Sequence, residues 1–136
     1  MPIEQPARDV EGPVDVFIID DHPAMRFGLK QLIELDCRFR VSGEAGGYQS
    51  GYEGCLSLNP KIALIDINLP DGNGFDLVKR LKLKAQQMLF LLMTGPEELR
   101  PAIRAMLLGA SGFIGKLDSV EHIVPALETL IGGGLY

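Results

Sequence analysis

Alternation constrains this chain more than any other feature. Five short strand-like runs, nearly all apolar, are each followed by a stretch with helical spacing. Val14–Ile19 is the first run and stops at Asp20-Asp21. From Pro23 the period becomes helical, with Met25, Leu29, Leu32 and Ile33 on one stripe and a proline suited to a first turn. Phe39–Ala45 is the second run. Residues 46–58 read as a helix in which Gly51 and Gly54 each cost about 1 kcal/mol; Asn59-Pro60 ends it. The third run, 62–65, ends in Asp66 and leads into the turn-rich Leu69-Pro70-Asp71-Gly72-Asn73-Gly74. A helix over 75–84 carries Leu77, Val78 and Leu81 on one side. The fourth run, 88–93, ends in Thr94 and Gly95-Pro96; a helix over 99–108 follows, with Pro101 in its first turn. Gly112–Gly115 is the fifth run and ends at Lys116. A last stripe of Val120, Ile123, Val124, Leu127, Leu130 and Ile131 begins at a candidate capping box, Asp118 with Glu121, and is stopped by Gly132-Gly133-Gly134. Such a pattern predicts an α/β domain: an open five-stranded parallel sheet with helices on both faces, its strands apolar because both faces are covered.

Composition narrows the function classes. The chain has 136 residues, 46% hydrophobic and 23% charged, so it builds a single core and is not globally disordered. A net charge of −5 makes the chain by itself a poor binder of duplex DNA, which needs clustered Lys and Arg. The basic stretch Lys79, Arg80, Lys82 and Lys84 reads as a solvated helix face and C-terminal helix charges. The longest apolar run is far too short to span a bilayer, and residues 1–10 lack the apolar centre of a secretory signal. Residues 1–13, with three prolines, read as a loose leader. Cys37 and Cys55 form no ligand spacing and are expected as free, half-buried thiols in a cytoplasmic protein.

The candidate chemistry lies at the strand ends. Asp20 and Asp21 close the first run, Asp66 the third, Thr94 the fourth and Lys116 the fifth; a parallel sheet brings all of them to one edge, where ligands bind. Two carboxylates about 4 Å apart repel by roughly 4 kcal/mol at an effective dielectric of about 20. Three of them therefore call for a cation, a shared proton or a lysine. Oxygen donors favour Mg²⁺, Lys116 supplies fixed positive charge and Thr94 a hydroxyl. The set suits a phosphoryl group, with one aspartate as nucleophile. Each residue alone is ordinary turn chemistry; their agreement in position is what carries the reading. His22, before a proline, reads as structural, and His122, off its helix's apolar stripe, as exposed. No Walker loop or dinucleotide fingerprint is present.

These residues resemble the receiver domain of two-component response regulators. Asp20-Asp21-His22-Pro23 is similar to its acidic pair, Asp66-Ile67-Asn68-Leu69-Pro70 with Gly72 and Gly74 to its phosphoacceptor strand and loop, and Thr94-Gly95 and Gly109-Ala110-Ser111-Gly112-Phe113-Ile114-Gly115-Lys116 to its switch and lysine motifs. The acidic motif and the closing Gly-Gly-Gly-Leu-Tyr resemble the NarL/FixJ (LuxR-type) subfamily. The resemblance covers 14–132 and implies a flavodoxin-like strand order, 2-1-3-4-5. It further implies Asp66 as phosphoacceptor, Mg²⁺ on Asp21, Asp66 and the backbone carbonyl of Asn68 with Asp20 acting through water, and Lys116 on a phosphoryl oxygen. Thr94 would turn to the phosphoryl group as Phe113 moves inward, and Gly95 would leave room beside it. The implied partners are a sensor histidine kinase or a small acyl phosphate as donor, and DNA only through a C-terminal helix-turn-helix domain, to which 133–136 would begin the linker. Phe113 stands where tyrosine is commoner, and Leu117 where many receivers have proline; Pro96 and Pro101 flank the segment that usually moves. Two other readings compete with it: a small aspartyl-phosphate phosphatase, for which Asn68 lacks a transferable proton, and a receiver-like binding module that takes no phosphate. Phe27 lies about 200° around its helix from Met25, among Lys30, Gln31 and Glu34, and is the candidate anchor of a homodimer.

Overall fold

The computed structural model describes residues 12–95, 109–116 and 119–136. Its elements are β1 (Val14–Ile19), α1 (Pro23–Glu34), β2 (Phe39–Ala45), α2 (Tyr48–Leu58), β3 (Ile62–Asp66), the two-residue strands β4 (Asn68–Leu69) and β5 (Gly72–Asn73), α3 (Gly74–Lys84), β6 (Leu89–Thr94), β7 (Gly112–Gly115) and α4 (Ser119–Ile131). Five strands form one sheet in the order β2-β1-β3-β6-β7, every pair parallel. Counting those five alone gives 2-1-3-4-5, the expected flavodoxin-like order. β4 and β5 make a small antiparallel hairpin after β3. The expected helix over 99–108, the Pro96 and Leu117 positions and the Asp118 half of the capping box lie outside the described residues, as does the leader up to residue 11.

Alternation along β1 explains the two-sided core. Val16 and Ile18 face α1 and α4, joined by Leu29, Ile33, Leu64, Leu91, Leu127 and Leu130. Phe17 and Ile19 face α2 and α3, joined by Tyr52, Cys55, Leu77, Leu81, Phe90 and Leu92. Burying each such aliphatic or aromatic side chain is worth about 1.5–3 kcal/mol. The thiols differ from expectation: Cys55 is fully buried, and burial pushes its pKa up to about 12, whereas Cys37 is exposed. Cys55 sits on the inward face of a helix seated against the sheet, so it belongs to the core.

The glycines that weakened the helix signal in 46–58 are what seat α2. A side chain at Gly51 would collide with Ile19, and one at Gly54 with the ring of Phe17. Both glycines let the helix backbone approach β1 closely, which offsets their propensity cost. The helix ends at Asn59, whose left-handed φ of 49° suits an asparagine cap. At the other end of the chain Gly133, at φ 89°, turns the backbone out of α4. The last residues then return to the sheet: Tyr136 donates its N–H to Ser111 O at 3.1 Å, packs over Gly112, and places its hydroxyl 2.9 Å from Nδ1 of the exposed His122.

Candidate functional site

Parallel register delivers the expected residues to one edge. Asp20 follows the end of β1, and Asp66 is the last residue of β3. Asp66 pairs with Met93, one place before Thr94; Thr94 pairs with Gly115, one place before Lys116. Asp20 is fully buried and Asp66 is 4% exposed. Lys116 Nζ lies 2.7 Å from Asp66 Oδ2 and 3.2 Å from Asp20 Oδ2. The second oxygen of Asp66, Oδ1, accepts from the backbone N–H of Asn68 at 3.0 Å. Asp20 Oδ1 accepts from the backbone N–H of His22 at 2.8 Å.

The electrostatics are unevenly shared. Burial raises the Asp66 pKa above its ordinary 3.8, and the field of Asp20 adds to that; the Lys116 and Asn68 hydrogen bonds oppose it without cancelling it. Lys116 also loses hydration, but hydrogen bonds from its ammonium to Asp66 and Asp20 outweigh that loss and hold its pKa above 10.5. One lysine facing two buried carboxylates is itself firmly charged, while the carboxylate pair remains short of positive charge.

That shortage fits a divalent cation. Donor atoms of Asp20, Asp21, His22 and Asp66 all lie within 4.8 Å of one another. Asp20 Oδ2 and Asp21 Oδ1 are buried without a hydrogen bond, although Lys116 lies within ion-pair distance of the first and His22 of the second. Hard carboxylate oxygens left without donors in a crevice are the donor set Mg²⁺ uses.

The remaining expected residues are placed as follows. Thr94 is buried at the end of β6, and its hydroxyl donates to Ile114 O at 3.3 Å, so it is directed along the sheet edge to β7. Phe113 is partly buried against the α2–α3 side of the core. Gly95 is half-buried beside Thr94, and Asn68 is exposed in β4. Phe27 stands apart on α1, 65% exposed.

Sequence reasoning missed three supports. His22 is a member of the cluster, with Nδ1 3.1 Å from both Asp20 Oδ1 and Asp21 Oδ1; its position beside two aspartates was the available signal. Arg26, one turn into α1, donates to the backbone carbonyl of Asp20 at 2.6 Å and to Glu44 at 2.8 Å, fixing the end of β1. Asp71, in the β4–β5 turn, accepts from the backbone N–H groups of Tyr48 and Gln49 at 2.6 and 3.2 Å, which lowers its pKa. A residue of the phosphoacceptor-like loop thus caps α2 from outside, where the Gly47 cap offers no side chain. Gly74 completes the loop: a Cβ there would lie 2.6 Å from Asp66 O. The loop and α3 can meet only through a glycine.

Comparison with known proteins agrees with this geometry. The response regulator receiver domain family matches residues 16–128. The transcriptional regulatory protein MctR of Rhizobium johnstonii is 32% identical over 123 residues, covering 90% of this chain and 58% of that protein. The nitrate/nitrite response regulator protein NarL of Escherichia coli K12 is 31% identical over 121 residues, covering 89% of this chain and 56% of that protein. The chain therefore spans about half the length of the curated relatives it matches. Among solved structures, a LuxR-family two-component response regulator from an Aurantimonas species superposes with a TM-score of 0.85 at 26% identity, covering 90% of this chain and 88% of that one. The signal receiver domain of a response regulator named NarL from Mycobacterium tuberculosis gives 0.83 at 27% identity, covering 90% and 98%.

Proposed function

The chain belongs to the response regulator receiver domain family, and on that premise we propose that it is a phosphorylation-controlled switch whose phosphoacceptor is Asp66. One observation carries the reading: a buried carboxylate at the end of the central strand, held at 2.7 Å by Lys116 beside two further aspartates. The donor is a phosphohistidine of a sensor histidine kinase or a small acyl phosphate. One oxygen of ionised Asp66 forms the new P–O bond while the donor's bond to phosphorus breaks, and the donor leaves with that electron pair. Lys116 holds a phosphoryl oxygen through its ammonium, and Asn68 N–H keeps the carboxylate oriented. Thr94 exchanges its bond to Ile114 O for one to the phosphoryl group, and Phe113 follows inward beside Gly95. Asp21, Asp66 and the Asn68 carbonyl would hold Mg²⁺, with Asp20 acting through water; when bound, the ion neutralises charge that builds on the transferring group. Slow hydrolysis of the aspartyl phosphate resets the switch.

The domain acts in the cytoplasm; no helix among the described residues is long and apolar enough to cross a membrane. By analogy with the transcriptional regulatory protein MctR, its output is transcriptional. Intact mass spectrometry after incubation with Mg²⁺ and acetyl phosphate tests the assignment. The expected result is one added phosphoryl group in the native chain and none in Asp66→Asn; labelling that persists in Asp66→Asn refutes it.

A further inference from the structure

We propose that His22 is a direct ligand at the acidic site, through Nδ1, and that it tunes this site toward nitrogen-accepting first-row divalent ions over Mg²⁺. The inference deepens the metal-binding part of the reading above and rests on it. His22 occupies the position before α1 where a side chain usually caps the helix, yet it makes no capping hydrogen bond. Its ring turns to the crevice instead. Nδ1 lies 2.9 Å from Lys116 Nζ. A lysine ammonium can only donate, so Nδ1 accepts, its lone pair faces the crevice, and the ring proton is on Nε2.

That orientation leaves an unresolved contact. The Nδ1 lone pair then stands 3.1 Å from Asp21 Oδ1, a buried oxygen that also has only lone pairs to offer and has no hydrogen bond. Asp20, fully buried, likewise presents Oδ2 without a hydrogen bond. Two electron donors stand side by side next to a carboxylate oxygen that Lys116 Nζ faces at 3.2 Å without a hydrogen bond, and a cation held by all three satisfies them. The spacing is of the right size. Octahedral ligands at roughly 2.1 Å stand about 3.0 Å apart when adjacent and about 4.2 Å when opposite. The Asp20, Asp21, His22 and Asp66 donors all lie within 4.8 Å of one another, little more than the span of one such octahedron, with Asp20 reached through water. Lys116 retains Asp66 Oδ2 when the ion replaces it at His22. An imidazole nitrogen adds little for Mg²⁺, which takes oxygen, and much for Co²⁺ or Zn²⁺.

The test uses the full chain with Co²⁺ and Mg²⁺ as separate probes, in native protein, His22→Ala and Asp21→Ala. His22 is 64% exposed, so its replacement leaves the core intact. Calorimetric titration should show that His22→Ala loses on the order of tenfold or more in Co²⁺ affinity, since even outer-shell partners are worth about 10- to 100-fold, while its Mg²⁺ affinity stays within about twofold. The Co²⁺ absorption spectrum should shift with the loss of nitrogen ligation. Asp21→Ala should weaken both ions. Equal losses for the two ions in His22→Ala, no loss for either, or Co²⁺ binding that survives Asp21→Ala would each overturn the assignment. Phosphorylation of the native chain by acetyl phosphate and Mg²⁺, read by intact mass and lost in Asp66→Asn, tests the phosphoacceptor reading on its own, so its failure is distinguished from failure of this inference.

Discussion

Replacing Gly74 by alanine should destabilise the protein, although alanine is the better helix former. Gly74 opens α3 against the end of β3. An added Cβ would sit 2.6 Å from Asp66 O and 2.7 Å from Ile67 Cα. Carbon atoms prefer contacts of about 3.5–4.0 Å, so the overlap approaches 1 Å, and both neighbours are backbone that cannot rotate away. Overpacking typically costs about 1–3 kcal/mol, and the rigid surroundings place this case near 3. Gly28, inside α1, is the control: nothing lies within 4 Å of a Cβ there. Gly28→Ala should gain about 1 kcal/mol from helix propensity alone. The two chemically identical substitutions should therefore differ by about 4 kcal/mol. Urea unfolding at unchanged m-value reads that gap as midpoint shifts of opposite sign. Because Asp66 O must move, Gly74→Ala should also slow phosphorylation while Gly28→Ala leaves it alone. A Gly74→Ala protein as stable as the native chain would refute the packing argument.

Three further outcomes follow from the site and surface. Millimolar Mg²⁺ should raise the melting temperature by mass action, and Asp21→Ala should abolish most of that rise; a native chain indifferent to Mg²⁺ contradicts the cation site. Asp71 has its carboxyl held below 3.8 by the Tyr48 and Gln49 N–H groups, so the stability it contributes is present above that value and lost as pH falls through the lower native one. The stability gap between the native chain and Asp71→Asn should accordingly shrink on acidification from neutral pH, and a constant gap counts against the cap. Phe27, 65% exposed on α1, is proposed as the anchor of a homodimer of the phosphorylated state. Sedimentation with beryllofluoride and Mg²⁺ should show a dimer that Phe27→Glu disrupts without unfolding; an unchanged dimer moves the interface elsewhere.

The sheet and the cluster at its edge were legible because both depend on short-range pattern. Apolar runs fix which segments become buried strands, and the residue that ends a parallel strand is placed at the ligand-binding edge by topology alone. Asp20, Asp66, Thr94 and Lys116 were found that way. What could not be read depends on contacts between distant segments. Gly51 and Gly54 looked like helix defects because their partners, Ile19 and Phe17, lie more than thirty residues earlier. Asp71 looked like an ordinary turn residue because the helix it caps precedes it by more than twenty residues. His22 looked structural because no second histidine or cysteine stands near it, so its place beside two aspartates was the one signal; the fold brings Lys116 to its ring. Thr94 was located correctly, but its hydroxyl direction toward Ile114 is a property of the state, which a residue type does not encode.

In the proposed switch, the strand order separates the strand that would take the phosphoryl group from the strand that would respond to it. β3, which ends in Asp66, is bordered by β1 and β6, whereas β7, with Phe113 and Ile114, is bordered by β6 alone in this sheet. A strand with neighbours on both sides opens only when much of the sheet opens; a four-residue margin strand can fluctuate at far lower cost. Amide protection should therefore be deeper in β3 than in β7, the strand the Thr94 hydroxyl grips. The proposed phosphoacceptor thus ends a strand paired on both sides, which preserves its geometry. In the proposed switch its effect reaches β7, a short edge strand, through the Thr94 hydroxyl and through Lys116, where a small free-energy change is enough to redistribute conformations.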